Sequence, residues 1–196
     1  MSLRDRFNQF SGRTRFVVCR IFLHLAGAEV APLLGILNQA GRRAIDSEGD
    51  MQVLGEELVQ VCESLLQYDT YWRSAANEGD ALWDEGEAGD YVSDLFTDSA
   101  QRYGSTPDFA ASDEDFAIPV TQNVVVMIIV AFEGEVPELE TNLADINALK
   151  VGLKALINLH YRGTMRAIQV HFSPAQLGDE LTSDQLLENF PELIPL

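Results

Sequence analysis

Asp46, Glu48 and Asp50 fall at positions one, three and five of a calcium-loop pattern, and Glu57 falls at position twelve. Carboxylates at that spacing can converge on a hard divalent cation. Position six, where such a loop must turn sharply, is Met51 instead of glycine. An acid-rich turn between two helices, favoured by the positive end of the second helix dipole, accounts for the same residues without a cation. His24, His160 and His171 have no H-E-x-x-H or H-x-x-x-H partner, so ordinary hydrogen-bonded histidines are expected rather than ligands. Cys19 and His24 could be written as a nucleophile pair, but residues five apart point to opposite faces of a strand. Cys19 and Cys62 sit among apolar neighbours; a disulfide is geometrically possible, and two buried reduced thiols is the simpler reading. The phosphate-cradling patterns G-x-G-x-x-G and G-x-x-x-x-G-K-[ST] and the G-x-S-x-G elbow do not occur. No catalytic residue, cofactor site or metal site is therefore assigned.

What remains is chemistry of recognition. Tyr71 and Trp72 follow the charged Asp69, and Trp83 lies among Asp80, Asp84, Glu85 and Glu87. Aromatics beside charges are common anchors at protein interfaces. They are equally common in a loop folded back on a sheet, and both readings stay open. Those seven residues, Tyr71, Trp72, Asp80, Trp83, Asp84, Glu85 and Glu87, are the candidate contact set.

The elements that must position them begin with the charge balance. The chain has 196 residues, of which 31 are acidic and 13 basic, a net charge of −18. Such a surface repels phosphate backbones and anionic lipid head groups, which excludes nucleic acid as an expected partner. Residues 78–115 hold twelve acids against Arg102 alone, whereas residues 1–20 hold five arginines against Asp5. A single domain over 1–196 is expected, with a basic N-terminal arm at 1–14 and an acidic, loop-rich insert at 78–119. The apolar run from Phe16 to Ala28 is broken by Arg20 and His24, unlike a signal peptide. The most apolar stretch, Val124 to Phe132, is far short of the ~20 residues that span a bilayer. A soluble protein without a membrane-spanning segment is expected.

Residues 15–25 fit both the two-residue and the helical period, and their β-branched and aromatic content favours a strand. Pro32 suits the first turn of a helix carrying Leu33, Leu34, Leu37 and Ala40, broken at 46–50. Leu54, Leu58, Val61, Cys62 and Leu65 make the stripe of a second helix, and the pair reads as a hairpin. Tyr68 to Ser74 reads as a short strand, residues 77–90 as a loop, and Tyr91 to Ser99 as a short helix. Residues 105–119 read as an acidic linker. Val120 to Phe132 is apolar at nearly every position, as in a strand buried on both faces. A helix through Leu143, Leu149 and Leu156 and a strand over 164–172 complete a βαβ crossover. Thr182 with Gln185 forms a capping box for a last short helix.

The C-terminal third carries Val130-Ala-Phe-Glu-Gly134, then Ala167-Ile-Gln-Val-His-Phe-Ser-Pro174, then Leu181-Thr-Ser-Asp-Gln-Leu-Leu-Glu-Asn-Phe-Pro-Glu-Leu193. Together with Leu65-Leu-Gln-Tyr-Asp-Thr-Tyr-Trp72, these segments resemble domain-of-unknown-function family 1517 of cyanobacteria and chloroplasts, over roughly residues 15–75 and 120–196. Many relatives carry a membrane-spanning or Gly/Ser-rich region with no counterpart in this sequence. The resemblance implies a photosynthetic setting, since one chloroplast relative is tied to acclimation under fluctuating light, and it supplies no catalytic residues.

The expected fold is α+β: a small mixed β-sheet with its central strand at about 120–132, a βαβ unit at the C-terminal end, and a helical hairpin and further helices packed largely on one face. The expected function is a non-enzymatic, soluble interaction protein. It would assist or regulate the photosynthetic apparatus through an acidic, aromatic-containing surface facing a basic protein partner. That partner would be a photosynthetic membrane complex or its assembly factors, met from the cytoplasm at the thylakoid periphery. The alternative is a small-molecule or divalent-ion binding module resting on Asp46–Glu57.

Overall fold

Two strands with apolar residues on both faces organise the molecule. In the computed structural model, which describes residues 12–102, 121–175 and 179–196, β1 (Phe16–Ala26) and β3 (Asn123–Glu133) lie side by side and are buried along almost their whole length. The period ambiguity at 15–25 resolves as a strand because β1 is hydrogen-bonded on both edges, by β3 and by β2 (Trp72–Leu82). The order is β4-β3-β1-β2-β5, with β4 (Met165–Ser173) and β5 (Ile194–Pro195) outermost.

Every ladder is antiparallel, so the sheet is not mixed and no parallel βαβ unit forms. The reason lies between β3 and β4. Residues 134–145 recross the sheet before α4 (Ile146–Arg162) begins. They are tied down by Gly134 N–H donating to Arg15 O at 2.9 Å and by Leu143 N–H donating to Asn77 Oδ1 at 2.7 Å. A parallel partner needs one return traverse; this chain makes two, and β4 arrives antiparallel, with Met165 opposite Phe132. The strand expected at the centre, β3, is an inner strand, and the middle place in the order belongs to β1.

Helices cover both faces. Leu33, Leu34 and Leu37 of α1 (Ala31–Asp46), Leu58, Val61 and Leu65 of α2 (Met51–Gln67) and Leu149, Leu153 and Leu156 of α4 pack on one face. The hairpin between α1 and α2 is as read: Pro32 sits in the first turn of α1, and Asp50 caps α2 by accepting from Gln52 and Val53 N–H. Gly55 lets α4 approach closely, since a Cβ there would lie 2.1 Å from the His160 ring. The opposite face carries α3 (Glu85–Gln101) through Ala88, Val92 and Leu95, and beside it Leu181 and Phe190 around α5 (Ser183–Asn189), whose capping box is formed.

The loop expected at 77–90 is instead the second half of β2 followed by the start of α3, and the 3-10 turn Asp69–Tyr71 replaces the start of the strand expected at 68–74. Seventeen residues of the acid-rich stretch form one helix, because Ala88, Val92, Leu95 and Ser99 bury a stripe at helical spacing. Residues 1–11 of the basic arm and the linker at 105–119 lie outside the described residues. No helix among the described residues is long and apolar enough to cross a membrane.

Candidate functional site

The candidate contact residues separate into two groups and a buried outlier. Trp72 is 5% exposed and its indole N–H donates to Leu65 O at 3.2 Å, so it is a core residue and leaves the contact set. An indole with its N–H satisfied by a helix-end carbonyl is anchored inside the fold. Tyr71, half-buried, packs on Tyr68 and against Gly27. It stands at the start of β2 and Trp83 just past its end, a separation of roughly 35 Å for a strand of this length. One surface patch does not hold both.

The other five do meet, at the corner where β2 turns into α3. Asp80 is exposed and accepts from Ala81 N–H at 2.7 Å. Asp84 is the N-cap of α3, accepting from Glu87 N–H at 3.1 Å, with Glu85 and Glu87 in the first turn. Acids in this position are stabilised by the helix dipole. Trp83 beside them is half-buried. Asp90 and Asp94 extend the exposed acids along α3, which contains no Lys or Arg.

The calcium-loop pattern at residues 46–57, kept only as the alternative, does not assemble. Asp50 is occupied as a helix cap, Glu57 is buried and paired with Arg43 at 3.1 Å, and residues 47–50 are only the α1–α2 turn. Among the described residues no group of three or more His, Cys, Asp or Glu comes together as a metal site. The two cysteines are free and buried, and burial pushes the Cys19 thiol up to about 12 and raises Cys62 as well, far from a reactive thiolate. His24 is held between Ser74 Oγ and Asn123 Oδ1, each at 3.1 Å, and burial lowers its pKa. His171 packs against the Phe96 ring, its pKa lowered by burial and then by the Arg20 charge.

Two features were not foreseen. The first is an ionic network on the α3 face. Arg20 is 3% exposed and ion-pairs with Glu78 and Asp98, and it also donates to Ser99 Oγ at 2.8 Å and Leu95 O at 3.2 Å. Arg102 joins Asp98 to Glu192 of the C-terminal tail, at 2.9 and 2.6 Å, and both guanidinium groups lie over the Phe22 ring. An arginine in the middle of a strand that is apolar but for His24 was the signal for this network.

The second is a cleft of about 620 Å³ beside β2. Val17 and Cys19 of β1 and Gly79 of β2 border it on the sheet side, and residues 139–142 line it opposite. Those residues are fixed by Asn77, whose Nδ2 donates to Thr141 O at 2.9 Å, and by Glu140, which accepts twice from Arg15 and once from Val136 N–H. Burial opposes ionisation of Glu140, but the Arg15 and Val136 bonds outweigh it and hold the carboxyl below its ordinary range. Gly79 was the legible trace, because glycine inside a strand marks a close approach: a Cβ there would lie 2.5 Å from Val18 O.

With the β3–α4–β4 unit and the tail that carry the resemblance in place, the family match is decisive. A model for the family described as protein of unknown function (DUF1517) matches residues 15–196. The chain belongs to that family. No curated protein and no solved structure matches it. The matched span takes in nearly every described element of this DUF1517 chain, including the β2–α3 corner and the cleft.

Proposed function

We propose that this DUF1517 protein is a non-enzymatic interaction protein that docks a basic protein partner on the acidic corner formed by the end of β2 and the exposed side of α3. One observation carries the reading: α3 has five carboxylates and no cation, and among the described residues only Asp98 of the five is ion-paired. Elsewhere Glu140, Glu133, Glu57, Asp69 and Glu192 each face an Arg or Lys. An uncompensated face of one sign steers an oppositely charged partner and repels the wrong one. The photosynthetic part of the reading, assistance to or regulation of a photosynthetic complex met at the thylakoid periphery, rests on the family resemblance.

The test is recovery of the tagged protein from its own cells at low and high salt, beside a variant carrying Asp80→Asn, Asp84→Asn, Glu85→Gln and Glu87→Gln. Asn at position 84 keeps the cap oxygen, so the helix is retained. The expected result is one photosynthetic complex recovered by the wild type at low salt and lost both at high salt and in the variant. Equal recovery by both proteins at both salts overturns the reading.

The cleft beside β2 favours a second reading, a small-molecule binding module, since its volume is that of an ordinary ligand pocket. Its divalent-ion form has no donor cluster among the described residues to rest on. Calcium titration by calorimetry, with no heat at millimolar ion, removes that form.

A further inference from the structure

We propose that the outer edge of β2 over Asn77–Ala81 takes up a short extended segment of the partner as an added β-strand, one that alternates small apolar and basic residues. The inference rests on the acidic-corner reading for the sign of the partner's charge, and goes beyond it in naming the mode of binding and the sequence pattern recognised.

The chain already uses this edge in that way. Ile194 and Pro195 pair antiparallel with Ala75 and Ser74, and Leu196 N–H donates to Arg73 O at 3.0 Å. Beyond Ala75 the tail departs, with Phe190 buried on the α3 face, and β2 continues to Leu82 with β1 as its sole ladder partner among the described residues. Backbone groups of an antiparallel strand alternate between its two edges. The outward direction of Arg73 therefore recurs at Ala75, Asn77, Gly79 and Ala81. Ala81 confirms the phase, since its N–H turns away from β1 to the Asp80 carboxylate. The main-chain groups of Asn77 and Gly79 are left facing outward, and Gly79 is exposed.

Edge strands with free donors and acceptors pair with whatever extended chain fits them. Two features select the guest. On one side of the edge lies the cleft over Gly79, where Val17, Cys19 and Leu139 leave space for small apolar side chains beside the polar residues Glu140, Thr141 and Asn142. On the other side, the neighbours alternate with these: Asp80, exposed and outside any ion pair among the described residues, and Glu78, already shared with Arg20, followed by Asp84 and Glu85 at the corner. A strand laid along the edge sends successive side chains to opposite faces, so alternate residues meet the cleft, where small apolar groups fit against Val17, Cys19 and Leu139, and the carboxylates of the α3 side. A second copy of this chain is the wrong guest, because it brings the same acids and a net charge of −18.

The test uses a fluorescent heptapeptide of alternating Lys and Val, titrated at low salt into the whole protein. Two analogues carry backbone N-methyl groups on the Val residues or on the Lys residues. Methylation leaves charge and side chains in place but removes the N–H groups along one edge of the peptide. In an added strand only one of the two sets points at β2. The expected result is an about tenfold or larger loss of affinity for one analogue and little change for the other, as a few lost hydrogen bonds require. The amide resonances of Asn77 and Gly79 should move on titration. If both analogues bind like the parent and those resonances stay still, strand addition is overturned while the acidic-corner reading stands. If the parent heptapeptide does not bind at all, strand addition also falls, and the acidic corner is judged separately by salt-sensitive recovery from cells.

Discussion

Arg20 in the middle of β1 is 3% exposed and ion-pairs across the sheet face with Asp98 of α3 at 2.5 Å, although the Asp98 side chain itself is 47% exposed. The pair is unequal: one charge is deep in the protein and the other keeps much of its water. Removing a partner from a buried charge is costly, whereas replacing the buried charge by an apolar residue of similar length is often close to neutral.

That asymmetry sets the first prediction. Glu78→Ala combined with Asp98→Ala strands the Arg20 guanidinium and should destabilise by about 3 kcal/mol or more. Arg20→Met leaves behind Glu78 and Asp98, at 42% and 47% side-chain exposure, which water can solvate. It should cost less than the double variant, about 1–2 kcal/mol, most of it from the buried Ser99 Oγ that loses its donor. Urea unfolding of the three proteins checks this, and an Arg20→Met penalty equal to that of the double variant contradicts it.

The same pair gives a pH dependence whose sign follows from the direction of the shift. Burial opposes ionisation of Asp98, but hydrogen bonds from Arg20 and Arg102 overcome it, and its pKa lies below the ordinary 3.8. Stability from such a group is full above the unfolded-state value and is lost as pH falls through the folded-state value. The gap in Tm between wild type and Asp98→Asn should therefore be largest near neutrality and close below about pH 3.8. His24 and His171, both lowered from 6.5, add an acid penalty that begins at higher pH in both proteins and cancels in the difference. A gap that widens toward acid would refute the assignment.

How much of this was readable beforehand depends on which residues supply their own period. β3, α1, α2 and α4 announced themselves because their apolar residues follow a pattern that one element satisfies, whereas β1 fitted both periods and only its β-branched and aromatic content favoured a strand. β2, with the sequence WRSAANEGDAL, has almost no β-forming residues and is a strand because β1 offers it a full ladder. α3 opens with Gly86 and Gly89 among acids, which reads as a loop, and is helical because its later apolar stripe meets Phe16, Val18 and Ile129. The acidic corner was legible as composition. Its separation from Tyr71, the burial of Trp72 and the cleft above Gly79 depend on strand pairing, which no local pattern encodes.

Glu57 supplies the last prediction. It is 7% exposed; one carboxylate oxygen accepts from Arg43 at 3.1 Å, and the other is buried with no hydrogen-bond partner. Gln169 Oε1, also buried and without a partner, borders the same cavity of about 120 Å³ between α1, α2 and β4. The rest of that cavity is largely apolar, lined by Leu37, Leu54, Leu58 and Phe172 among others. A buried acceptor left unsatisfied costs about 1–3 kcal/mol. Arg43, with 54% of its side chain exposed, loses little when its partner goes, because water replaces the carboxylate. Glu57→Met keeps the length of the side chain, removes the orphaned oxygen and adds an unbranched apolar group that can adapt to the cavity. It should raise stability by about 1 kcal/mol or more, read as a higher urea midpoint with an unchanged slope. A drop in the midpoint would mean that the second Glu57 oxygen has a partner in solution, such as a solvent molecule in the cavity that Glu57 and Gln169 both border.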